Sequence, residues 1–125
     1  MTKEIVHTDR APSSPYYSQA VRAAGLVFVA GQGPFDPATG EVVGATIQEQ
    51  TRQCLRNVEM VLQAAGSSLD RVVKVTVLIA KPELFGEMNA AYREVFAERK
   101  PARAVVRLGP EIPGVFLSIE ATALA

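Results

Sequence analysis

The chain has no tryptophan, one cysteine (Cys54), one histidine (His7) and few other aromatics, with five Phe and three Tyr in 125 residues. A lone cysteine cannot close an internal disulfide, and with a single histidine it cannot assemble a zinc site, so no structural metal is expected. Net charge is also missing, because thirteen Lys and Arg offset thirteen Asp and Glu. Without a basic run there is no electrostatic footprint for nucleic acid, and no nucleic-acid partner is expected. No apolar run approaches the ~20 residues of a membrane span, and Met1-Thr2-Lys3-Glu4 lacks the apolar segment of a signal peptide. The expectation is a cytoplasmic protein with no membrane contact. What the chain does have is aliphatic bulk. At 48% hydrophobic it supports one domain over residues 1–125 around Val, Ala, Leu and Ile, and it is too short for two.

Ile5 to His7 reads as a short strand, followed by the proline-rich loop Ala11-Pro12-Ser13-Ser14-Pro15. An extended pattern resumes over Tyr16 to Val21, Gly25 makes a turn, and Leu26 to Ala30 is apolar on both faces, as in a buried strand. That strand ends at Gly31-Gln32-Gly33-Pro34, where the backbone can approach a neighbour closely. It is not a phosphate loop, since neither the spacing nor a following helix is present. Thr46 with Glu49 forms a capping box, Ile47, Thr51, Cys54, Leu55, Val58, Val61 and Leu62 recur at helical spacing, and Gly66 follows, so a helix is predicted over about 47–65. Cys54 falls on or beside its apolar stripe as a small buried thiol rather than a nucleophile. Val72 to Ile79 alternates as a strand, with Val73, Val75, Val77 and Ile79 expected on one face and Lys74 and Thr76 on the other. Pro82 opens a second helix with a stripe of Leu84, Phe85, Met88, Tyr92, Val95 and Phe96.

Next comes Lys100-Pro101-Ala102-Arg103-Ala104-Val105-Val106-Arg107-Leu108, a strand beginning at a proline. Period-two alternation puts Ala102, Ala104, Val106 and Leu108 on one face, read as core, and Arg103, Val105 and Arg107 on the other. Arg103 would then be fixed by packing behind it and offer a donor fork to a carboxylate. The plainer alternative is a solvated strand arginine in a surface ion pair, and Arg107 is read that way. After the irregular Gly109 to Gly114 connection, a closing strand spans Val115 to Leu124. Leu117, Ile119, Ala121 and Ala123 take one of its faces and Glu120 the other, so Glu120 and Arg103 are expected together on the side away from the helices.

The order is β-β-β-α-β-α-β-β, an α+β chain in which right-handed crossovers put both helices on one face of a mixed sheet. Phe28, Leu78, Val105 and Phe116 are expected near the uncovered face, where they favour oligomerisation.

Tyr17-Ser18-Gln19-Ala20-Val21, Ala30-Gly31-Gln32, Asn89-Ala90-Ala91-Tyr92, Pro101-Ala102-Arg103 and Ile119-Glu120-Ala121 together resemble the RidA/YjgF family of enamine/imine deaminases, across essentially the whole chain. The resemblance implies a chorismate-mutase-like fold and a homotrimer with clefts between subunits, and no metal or cofactor. It implies that Arg103 grips a substrate carboxylate, Glu120 lies by the attacking water, and Tyr17 closes the pocket. Gly31 would contact the acid through its backbone, Asn89 would lie by the cleft, and a Val105 carbonyl could orient water. Three departures stand out: Val105 where a cysteine is common, Tyr16 where a proline is common, and a longer Gly109 to Gly114 connection.

The leading expectation is hydrolysis of 2-aminoacrylate, 2-iminopropanoate or 2-iminobutanoate to the 2-keto acid and ammonia. A non-catalytic module binding a carboxylate or keto acid is the second reading. Ribonuclease activity is a third, and the balanced charge argues against it.

Overall fold

The computed structural model describes residues 2–125. Eight principal elements follow the expected order: β1 (Glu4–Val6), β2 (Ala20–Ala23), β3 (Leu26–Gln32), α1 (Ile47–Ala64), β4 (Val72–Ile79), α2 (Phe85–Val95), β5 (Ala102–Arg107) and β6 (Leu117–Leu124). The capping box forms as read. Thr46 accepts from Glu49 N at 3.2 Å, and the Glu49 carboxylate accepts from Thr46 N at 3.1 Å, satisfying donors that a helix start leaves free. Pro82 starts a single 3-10 turn, Pro82–Leu84, that leads directly into α2.

Two expected boundaries move. The second strand begins at Ala20 rather than Tyr16, because Pro15 to Tyr17 bend away as part of the loop. Its hairpin to β3 turns on Ala24 and Gly25, both with positive φ, the geometry whose twist matches paired strands. The last strand begins at Leu117 rather than Val115.

The sheet order is β1-β2-β3-β6-β4-β5, antiparallel throughout except for the parallel pair β4 and β5. Both helices cover one face, their stripe of Leu55, Val58, Leu62 and Met88 packing on Val27, Val77, Leu117 and Ile119. The exposed ion pair between Arg52 and Glu94, at 2.9 Å, links α1 to α2.

Register overturns three side-chain assignments. Val72 pairs with Ala123 and Lys74 with Thr122, so Val73 is an extra residue in β4. This bulge turns Val73 outward and buries Val72, against the expected grouping of Val73 with Val75. On β5, Arg103 pairs with the buried Val75 and Val105 with the buried Val77. Arg103, Val105 and Arg107 therefore face the helices, and Ala102, Ala104 and Val106 face the open side, the reverse of the expected assignment. Val105 packs against the core, while Val106 is 45% exposed. Strand β3 is not buried on both faces as expected, whereas Phe28 does stand on the open side, 44% exposed, as expected for a residue near the uncovered face. Phe85 and Val95 lie at the exposed margin of the α2 stripe, and Ala91 fills the buried centre instead.

Candidate functional site

Helix α2 and strand β5 bring together Arg103 and Asn89, two of the candidate residues. Arg103 projects from β5 toward α2, where Nη1 donates to Asn89 Oδ1 at 2.8 Å. The guanidinium carbon lies 4.7 Å from the centre of the Tyr92 ring and 5.8 Å from that of Phe85, within cation–π range. Beside it opens a cavity of about 330 Å³ lined by Asn89, Tyr92, Phe96, Lys100, Pro101 and Arg103, among others, with no carboxylate in its wall. Arg103 makes no ion pair among the described residues. Burial raises the pKa of the Tyr92 phenol, with the Arg103 charge opposing the shift.

The remaining candidates, Glu120, Gly31 and Tyr17, lie elsewhere, Glu120 on the open face. Glu120 pairs with Thr76 of β4 and borders a recess of about 170 Å³ that also involves Phe28, Lys74 and Thr122. Gly31 lies at an irregularity where β3 gains a residue against β6, and a Cβ there would stand 3.0 Å from Ser118 Oγ. Ser118 shares the face of Glu120, two residues along β6, so Gly31 approaches the Glu120 side of the sheet. Tyr17, 57% exposed, sits on the loop before β2. Buried Gln19 holds that loop: its Nε2 lies 2.9 Å from the carbonyls of Thr8, Ala11 and Pro12, and its Oε1 accepts from Thr8 N at 2.8 Å.

The structure thus joins Arg103 to Asn89 and separates both from Glu120, Gly31 and Tyr17. Arg103 and Glu120 do not share a face as expected. They sit on opposite faces, two strand spacings or ~10 Å apart across the sheet. Tyr17 leads into β2, about four spacings or ~19 Å from β5. Asn89 engages the arginine itself, and Val105 shares the helix side with Arg103. Sequence reading missed Tyr92 and Phe85, which were assigned to a core stripe. Their spacing with Asn89 along one helix face was the available signal.

Cys54 is fully buried, and desolvation pushes its thiol well above the usual range, so it is no nucleophile. Among the described residues, no group of three or more His, Cys, Asp or Glu is placed to hold a metal ion. No described helix is long and apolar enough to cross a membrane.

Comparison with known proteins matches nearly the whole chain. The family model described as endoribonuclease L-PSP matches residues 8–125. A RutC family protein of Pyrococcus horikoshii is 46% identical over 123 residues, covering 97% of each chain. The 2-iminobutanoate/2-iminopropanoate deaminase of Mus musculus is 35% identical over 123 residues, covering 98% of this chain and 91% of that one. The crystal structure of E. coli TdcF with bound serine superposes with a TM-score of 0.89 at 36% identity, covering 98% of each chain.

Proposed function

The chain belongs to the family described as endoribonuclease L-PSP, the YjgF/RidA family, and from that premise we propose that it hydrolyses small 2-imino acids and their enamine tautomers to 2-keto acids and ammonia. One observation carries this reading: Arg103 is fixed by Asn89 and Tyr92 beside a cavity, and no carboxylate among the described residues neutralises it. A cation held this way is suited to a ligand carboxylate. The similarity to the mouse deaminase supports the imine, and the serine bound in TdcF is a carboxylate ligand of similar size.

The chemistry asks little of the protein. An imine carbon is already electrophilic, so binding and water placement dominate. In the proposed course Arg103 holds the carboxylate, and the Gly31 backbone and Tyr17 bound the pocket. Glu120 takes a proton from water as its oxygen bonds to the imine carbon. That proton passes to the nitrogen to complete the carbinolamine; its hydroxyl then gives up the second proton through Glu120 as C=O forms, and the C–N bond breaks with that proton leaving on the ammonia. No cofactor is needed for this sequence.

Because Arg103 and Glu120 occupy opposite faces, the working site in this proposal forms between copies, in a homotrimer of about three times 13.4 kDa. Exposed Phe28, Val73, Val106 and Leu124 supply apolar surface for such an assembly. The free, buried Cys54 suits a reducing cytoplasmic compartment.

The test is ammonia release from freshly generated 2-iminopropanoate and 2-iminobutanoate, with Arg103→Ala as control. Acceleration above buffer that Arg103→Ala abolishes is expected. No acceleration, with 2-oxobutanoate binding that needs Arg103 but not Glu120, would establish the carboxylate-binding module instead.

A further inference from the structure

Phe85, Asn89 and Tyr92 follow one another along α2 at spacings of four and three residues, so they stack on one helix face. All three converge on Arg103. Tyr92 is nonetheless unusual. It is buried, its ring packs 5.0 Å from that of Phe96, and its hydroxyl has no hydrogen-bond partner among the described residues. Its contact with Arg103 is made through its ring.

We infer that Tyr92 is a positioning residue: its ring, together with the Asn89 amide, holds the Arg103 guanidinium in one plane and so prepares the fork that receives a ligand carboxylate. Arginine has a long stem whose freedom must be lost before two parallel hydrogen bonds form, and a guanidinium already ordered on a ring loses less on binding. Asn89 occupies one Nη1 donor and leaves the remaining N–H groups for the ligand. With the Tyr92 ring against one side of the guanidinium, the N–H groups that Asn89 leaves free are open to a bidentate carboxylate. This inference rests on the carboxylate role proposed above for Arg103.

The test uses the full chain and three readouts. In ¹⁵N-labelled, ligand-free protein the Arg103 Nε–H resonance should be shifted upfield by the ring current and slow to exchange. Tyr92→Met, which fills the space without a π face, should remove that shift, weaken 2-oxobutanoate binding about tenfold, and raise KM with little change in kcat. Tyr92→Phe should restore all three, and Asn89→Ala should speed the exchange while keeping the ring shift. Wild-type resonance and affinity in Tyr92→Met would overturn the inference. So would a wild-type Arg103 signal without ring shift, an outcome that needs no Tyr92 variant to fold. Unchanged 2-oxobutanoate affinity in Arg103→Ala would instead remove the carboxylate reading beneath it.

Discussion

Mixing two inactive variants offers the sharpest test of how the site is completed. Arg103→Ala removes the carboxylate fork on the helix side of β5, and Glu120→Gln removes the proton acceptor on the open side of β6. The two side chains point to opposite faces of one sheet whose strands place them ~10 Å apart. A ligand of about six or seven heavy atoms, bound on one face, cannot touch both through the sheet. If Arg103 of one copy works with Glu120 of the next, each interface in a ring needs one intact residue from each side. Every mixed three-membered ring then contains one intact interface of about three, and random association of equal amounts keeps about a quarter of all sites. Co-expression with two different tags and tandem purification isolates the mixed rings. Their imine hydrolysis should reach about a third of the wild-type rate per ring, while each variant alone stays at background. Two dead variants that remain dead in purified mixed rings would refute the shared site, because a site built within one copy cannot be rescued by its neighbour.

Three further outcomes follow from the fold. Gln50 is 1% exposed and donates to the carbonyls of Gly44 and Gly114 while accepting from Phe116 N. Gln50→Leu strands three backbone groups, and because these bonds are only partly buried it should cost about 2–5 kcal/mol by urea denaturation; a loss below about 1 kcal/mol would show that water replaces them. Thr46→Ala should cost about 1 kcal/mol near neutral pH. Glu49, held below its ordinary value chiefly by the Thr46 hydroxyl bond and then by backbone bonds, stabilises the folded state above the ordinary carboxylate range and loses that contribution as pH falls through its folded pKa. The gap between wild type and Thr46→Ala should therefore narrow in acid, and a gap that widens in stability curves from pH 7 to 3 would contradict this assignment. Gly31→Ala brings a Cβ to 3.0 Å from Ser118 Oγ and should cost about 1 kcal/mol, most of it recovered by adding Ser118→Ala. Purely additive melting shifts would place the strain elsewhere.

The positions of the elements could be read locally because their signals are local. Thr46 and Glu49 start α1, Gly66 follows its end, and the Leu117-x-Ile119-x-Ala121-x-Ala123 alternation identifies the buried face of β6 without reference to any neighbour. The direction of Arg103 had no such signal. In Ala102 to Arg107 each face holds at least one aliphatic residue, Val105 on one and Ala104 with Val106 on the other, so alternation alone does not separate core from open side. What decides it is the pairing of Arg103 with Val75 in a parallel ladder reached through a helix. The orientation of β4 is itself obscured by the bulge at Val73, which puts an extra valine into an otherwise regular alternation. Both facts belong to strand pairing between segments far apart in the chain. The same reversal changes the site. An arginine on the open face beside Glu120 would describe a pocket complete in one chain. On the helix face Arg103 instead gains Asn89 and Tyr92 as supports and loses Glu120 as a partner. Sequence could nominate Arg103 and Glu120 as candidates, but their placement on opposite faces is a property of register.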